Sequence, residues 1–319
     1  MELTATMVSA FSFIAALVLG RPMIAMLRAS SAKQIAYEDA PQTHQAKTGT
    51  PTMGGLLFLI APLVALAAAP ILSTLALTFL VAACAMIGAV DDSMAIRLGR
   101  NRGLRARTKL LLTGVAAAAF VFMLIDGAGM NAAIGLRVFG IGEVSVTVFV
   151  ILSILAVVAT THAVNLTDGL DGLAAGTVIP PLIVISYVAF AQAQIGVGIF
   201  EVAVIGTVVG FLAFNVHPAK VFMGDTGSLA LGAALAGGAC ATGMQLLLIL
   251  IGGVFAAEAL SVILQVASYK MTKRRIFRMS PLHHHFEMGG WPETKVTTRF
   301  WAASLLCSIA GFALVRVAS

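Results

Sequence analysis

Charge is scarce in this chain: 11% of its 319 residues are Asp, Glu, Lys or Arg, against about 25% in ordinary soluble domains. Hydrophobic residues make up 59% and the mean hydropathy is +0.99, so no separate water-soluble domain is expected and residues 1–319 read as one integral membrane unit. The three cysteines, Cys84, Cys240 and Cys307, lie inside apolar runs without metal-like spacing, which makes them packing residues. There is no basic and aromatic surface pattern of the kind that binds single strands, so nucleic acid is not an expected partner. The net charge of +6 then points to topology and anionic ligands. The first apolar run, 3–27, lacks a basic leader and a small-residue cleavage site, and reads as a retained helix.

What the chain does have is length of apolar run. A helix needs about 20 apolar residues to cross the hydrocarbon core. Runs at 3–27, 53–70, 71–90, 108–125, 144–161, 172–191, 196–214, 226–242, 243–269 and 299–317 predict an all-α polytopic membrane protein with about ten transmembrane helices. Lys and Arg crowd one set of loops (Arg28, Lys33 and Lys47; Arg97 to Lys109; Lys220; Lys270 to Arg299), while the opposite loops and tail hold only Arg137 and Arg316. The positive-inside rule places the crowded loops in the cytoplasm and both termini outside. The external segment 126–143, with Ile134, Leu136, Val138 and Ile141 in near alternation, suits a short β-hairpin. No internal repeat is evident.

The polar residues collect at segment ends on the cytoplasmic side. Between two apolar runs lies Val164-Asn165-Leu166-Thr167-Asp168-Gly169-Leu170-Asp171-Gly172-Leu173. Asp-Gly pairs are ordinary turn chemistry, but carboxylates at a membrane surface also hold Mg²⁺ or meet phosphate. The third run ends at Asp91-Asp92, where two acids at a helix C-terminus would oppose the macrodipole. Adjacent helical positions differ by about 100°, so the two are expected to take different roles. Lys109 can neutralise a phosphate beside them. Lys47-Thr48-Gly49-Thr50-Pro51-Thr52-Met53-Gly54-Gly55 sets a basic residue, hydroxyls and glycines at a helix mouth, which suits either phosphate or a plain Thr cap. Asn215 precedes Phe222-Met223-Gly224-Asp225-Thr226-Gly227-Ser228, in which Asp225 is either an N-cap or a ligand and Phe222 a stacking platform or a staple. His283, His284 and His285, flanked by Lys and Arg, fit an anionic ligand better than zinc.

In this order and at these positions, Pro51 to Gly55, Asp91-Asp92, Asn165 to Gly172, Phe222 to Ser228 and the triple histidine resemble the polyprenyl-phosphate N-acetylhexosamine 1-phosphate transferases. The resemblance covers nearly the whole chain and is closest to the muramoyl branch of that family. It implies ten helices around a cytoplasmic cleft in the bacterial inner membrane. It also implies transfer of phospho-MurNAc-pentapeptide from UDP-MurNAc-pentapeptide to undecaprenyl phosphate, releasing UMP, with Mg²⁺ as cofactor; a homodimer is compatible with it. By motif, Asp225 would bind the metal, and Asp91 and Asp92 would serve the lipid phosphate. Asn165, Asp168 and Asn215 would organise the metal and phosphate site, with Lys109 on phosphate. Asp171, beside Gly172, and Phe222 would receive the uracil. His283, His284 and His285 would meet the pyrophosphate or sugar, near Lys47 and Thr52.

Two rivals remain at this point. A sister enzyme would move GlcNAc-1-phosphate to the same lipid, against which the run His283 to Glu287 with Trp291-Pro292-Glu293 speaks. A secondary transporter would need acids near the membrane midplane. Glu258 is the acid expected deep in a helix, paired with a neighbouring helix and without a catalytic role.

Overall fold

The computed structural model describes residues 2–29, 49–99, 103–127 and 145–318. Apolar runs without internal partners must satisfy their own backbone in lipid, and helices do so within each segment. The described residues are accordingly helical and contain no strand. In order they form α1 (Glu2–Ala29), a 3₁₀ helix (Gly54–Leu59) leading into α2 (Ile60–Ala68), α3 (Leu72–Leu98), α4 (Ala106–Gly127) and α5 (Val146–Thr167). Then come α6 (Leu173–Ala191), α7 (Ile195–Asn215), α8 (Gly224–Ala241), α9 (Leu248–Ile251), α10 (Gly253–Thr272), α11 (Leu282–Glu287) and α12 (Glu293–Ala318). Lys47 and nearly all of the segment expected as a hairpin lie outside the described residues; Asp126 and Gly127 of that segment belong to α4.

Eight of the helices described, rather than ten, are long and apolar enough to cross a membrane. The two expected runs that do not qualify differ for separate reasons. The run expected over 53–70 is short once its 3₁₀ turn is set apart, covering Gly54–Ala68. α8 is rich in Gly and Ala, and every residue from Thr226 to Ala241 is buried. It packs on α3 and α5 as the central helix, so it has no need of lipid-facing bulk.

Boundaries also moved. α3 does not stop at residue 90 but runs two turns further to Leu98, closed by Gly99 in the left-handed region (φ 58°). Asp91 and Asp92 are therefore inside the helix, and the argument from the macrodipole at its C-terminus loses its ground. The run expected over 243–269 is broken: Gly243 (φ 72°) turns the chain, and α10 begins only at Gly253. α12 begins at Glu293, about two turns before the expected start at 299, which brings Glu293 into its first turn.

Candidate active site

The N-terminus of α8 is where the polar residues converge. A helix start leaves main-chain N–H groups without partners, and here a side chain from another helix supplies them. Asp92 accepts from the N–H of Asp225 (3.1 Å) through Oδ1, and from the N–H (3.0 Å) and hydroxyl (2.6 Å) of Thr226 through Oδ2. α3 can approach this closely because residue 88 is glycine; a β-carbon there would collide with the main-chain carbonyl of Asp225. Thr52 is buried, with its hydroxyl beside Gly224.

Asp91 points elsewhere. Its Oδ1 accepts the N–H of Leu104 (2.7 Å) and lies 3.4 Å from Lys109 Nζ. Lys109 in turn donates to Asp225 Oδ2 at 2.7 Å, bridging the two acids. Asn165, on the last turn of α5, donates from Nδ2 to Asp225 Oδ1 (2.9 Å) and to Ser228 Oγ (2.8 Å). Candidate ligand oxygens of Asp91, Asp92 and Asp225 lie within 4.8 Å of one another. An all-carboxylate set suits a hard divalent cation. Within it Asp92 already spends both oxygens on α8, whereas the Asp225 side chain is 23% exposed and its oxygens meet the side chains of Lys109 and Asn165.

The stretch after α5 links this cluster to a second one. Asp168 caps α5, and Gly172 in the left-handed region (φ 72°) starts α6. Asn215 accepts the Gly172 N–H (3.1 Å) and donates to the Val221 carbonyl (2.9 Å), tying this loop to the one before α8. Asp171 Oδ2 accepts the Ala219 N–H and faces His217 Nδ1, both at 3.0 Å, while Glu293 Oε1 accepts the Asp171 N–H at 2.6 Å. Phe222 is half-buried, and its main chain pairs with Pro51 and Gly54. The N–H groups of Gly54 and Gly55 go to the carbonyls of Phe222 (2.8 Å) and Met223 (3.0 Å). Of the two uses open for this segment, phosphate binding or capping and close packing, these two donors serve the second, since the protein itself takes them.

The three histidines sit on α11 with different surroundings. His283 is buried against Gly169. His284 Nδ1 pairs with Glu287 at 2.8 Å, and His285 Nδ1 accepts the N–H of Arg278 at 3.1 Å. Several neighbours went unassigned from the sequence. His217, between Asn215 and Phe222, and Glu293, in the run Trp291-Pro292-Glu293, carried no role. His162, whose Nε2 lies 3.2 Å from Thr113 Oγ1, could have been found: it precedes Asn165 by three residues on one helix face, as Thr113 follows Lys109 by four. Glu201, fully buried in α7, is a second acid deep within a helix, in addition to Glu258 in α10.

Comparison with known proteins decides what this arrangement belongs to. A model described as "Glycosyl transferase family 4" matches residues 74–243, and one described as "Phospho-N-acetylmuramoyl-pentapeptide-transferase signature 1" matches residues 47–59. A phospho-N-acetylmuramoyl-pentapeptide-transferase from Moorella thermoacetica is 46% identical over 316 residues, spanning 95% of this chain and 96% of the relative. Those of Geobacillus thermodenitrificans (43%; 95% of each chain) and Rubrobacter xylanophilus (41%; 95% and 94%) are similar over the same extent. The chain belongs to the phospho-N-acetylmuramoyl-pentapeptide-transferase family. The family signature at 47–59 takes in Thr52 and the segment whose main chain pairs with Phe222 and Met223. The broader transferase model takes in Asp91, Asp92, Lys109, Asn165, Asn215 and Asp225.

Proposed function

We propose that this protein transfers phospho-MurNAc-pentapeptide from UDP-MurNAc-pentapeptide to undecaprenyl phosphate, forming lipid I and UMP in peptidoglycan biosynthesis, with Mg²⁺ as cofactor. The observation that carries the reading is the meeting of Asp91, Lys109, Asn165 and Asp225 at one helix end, in a chain of this family. An oxygen of the lipid phosphate attacks the phosphorus that bears the sugar. The bond from that phosphorus to the bridging oxygen breaks, and UMP leaves with that oxygen.

Repulsion between anions is the main barrier, so cationic groups supply most of the stabilisation. Asp225 is the residue to hold Mg²⁺, which when bound neutralises phosphate charge. Lys109 pairs with phosphate, and Asn165 keeps the Asp225 carboxylate oriented. A phosphate monoester is already mostly a dianion at neutral pH, its second pKa being about 6, so little general-base work is needed. Asp91 positions the lipid phosphate or takes its remaining proton. Asp92, with both oxygens bonded to α8, suits an architectural role better than that of a nucleophile, which favours one in-line step over an aspartyl-phosphate route. Asp168 and Asn215 organise the metal and phosphate site with Asn165; Asp171, beside Gly172, and Phe222 receive the uracil; and His283, His284 and His285 meet the pyrophosphate or sugar, with Lys47 and Thr52 nearby.

Counting the 3₁₀–α2 pair and α8 with the eight long helices gives ten crossings of the bacterial inner membrane. The positive-inside bias then puts a catalytic cleft on the cytoplasmic side, with both termini outside. The test is transfer by purified protein in detergent, given UDP-MurNAc-pentapeptide or UDP-GlcNAc with undecaprenyl phosphate and Mg²⁺. Lipid I from the muramoyl donor alone, lost in Asp225→Asn, is the expected outcome. Transfer from UDP-GlcNAc instead would move the chain to the sister reaction.

A further inference from the structure

Two buried ionisable side chains face each other where α10 meets α11. Glu258 is fully buried and His283 is 1% exposed. A single oxygen, Glu258 Oε1, receives both the main-chain N–H of His283 (3.1 Å) and its ring Nδ1 (3.2 Å). The residue before α11, Pro281, makes no side-chain cap bond, so the acid from α10 also serves as the cap of this short helix. An oxygen already accepting a main-chain N–H acts as acceptor toward the ring as well, which puts a proton on Nδ1. The bond made by one ring nitrogen sets the role of the other.

The other nitrogen is the informative one. His283 Nε2 is buried and has no protein partner among the described residues, and a buried polar atom left unpaired is costly enough to need a reason. It lies against Gly169, where a β-carbon would collide with it. The loop carrying Asp168 and Asp171 is therefore built to leave room for this ring edge. Neither neighbour repeats the arrangement: His284 pairs with Glu287 on its own helix, and His285 accepts from Arg278.

We infer that Glu258 is a positioning residue, which holds His283 in one tautomer and one orientation so that the lone pair of Nε2 is presented at Gly169 to an O–H or N–H donor on the sugar of the nucleotide-sugar donor. This rests on the functional reading above. Glu258 touches no substrate and acts through the ring alone, so its effect must vanish when the ring is gone.

The experiment is a double-mutant cycle on the full-length protein in detergent, with UDP-MurNAc-pentapeptide and undecaprenyl phosphate as substrates. Glu258→Ala and His283→Ala should each lower kcat by about 10- to 100-fold, the range for losing an orienting partner. The double variant should be no slower than His283→Ala. Glu258→Gln keeps an oxygen for both N–H groups and should recover most of the loss. Effects that multiply in the double variant would overturn the proposal. Ring ¹⁵N NMR provides a readout independent of turnover: a signal for Nδ1–H, assigned by its loss in His283→Ala, should persist in Glu258→Gln and disappear in Glu258→Ala. An Nε2–H tautomer in the unmodified protein would overturn the assignment whatever the activity. If the unmodified protein formed no product from the muramoyl donor, the functional reading would fall, while the NMR result would still decide the pairing.

Discussion

Among the described residues stand two groups of three chelating side chains, Asp91–Asp92–Asp225 and Asp171–His217–Glu293, and in each the candidate ligand atoms lie within 4.8 Å of one another. By composition they are near equals. Backbone accounting separates them. In the second group the carboxylates receive main-chain N–H groups, Ala219 to Asp171 and Asp171 to Glu293, so they act as staples between the loops at 168–172 and 216–223 and the start of α12. In the first group that service falls to Asp92, for the start of α8, and to one oxygen of Asp91, for the N–H of Leu104. Asp225 is thereby left to face Lys109 and Asn165, side chains that can rearrange around a ligand as main-chain groups cannot. A cluster of acids is a candidate site to the extent that its oxygens are not already committed to holding the chain.

The sharpest way to break this contrast is metal binding. Asp225→Asn should lower transfer by about 10²- to 10³-fold, the scale for losing one charge-stabilising group. It should also abolish Mn²⁺ binding followed by electron paramagnetic resonance, and Glu293→Gln should leave that binding intact. Equal loss in both variants would erase the distinction between the clusters. Next in size is Asp92→Ala, which strands two N–H groups of α8 and should cost about 1.5–3 kcal/mol. It should be seen as a lower Tm in detergent along with lost activity, whereas Asp91→Ala should lose activity with a smaller change in Tm. Gly88→Ala drives a methyl into the Asp225 carbonyl and should destabilise by about 1–3 kcal/mol, with Mn²⁺ affinity falling because Asp225 is displaced. The smallest effect is expected from His217→Gln. Its side chain is 44% exposed, so the loss should be below about 1 kcal/mol, with a modest rise in donor KM and no change in metal titration.

Much of this was legible in the residues. The apolar runs located the helices, and the acids at segment ends marked the chemistry. Hydropathy failed where it measures the wrong thing: it reports the solvent around a segment, not its backbone. The run of apolar residues ends at Val90, yet α3 continues to Leu98, because a helix stops where its hydrogen bonding is closed, here at Gly99. α8 fell short of a spanning helix on apolarity because it opens on Gly224-Asp225-Thr226-Gly227-Ser228 and is rich in glycine, although its residues from Thr226 onward are buried. Glu201 and Glu258 show a different limit. Both are acids buried within helices, and only the fold tells that Glu258 has His283 as partner while neither oxygen of Glu201 has one among the described residues.

The amino-acid sequence on its own determined that this chain lives in a membrane, which family's motifs it carries and which short stretches hold its carboxylates, because these depend on composition and local order. Which of those carboxylates remained available was decided by tertiary structure alone. Asp92 meets the N–H groups of Asp225 and Thr226 across 133 and 134 residues of chain, and Glu258 meets His283 across 25. Hydrogen bonds between distant segments have no signature in local sequence, and they set which oxygens are used up in folding and which are left for a ligand.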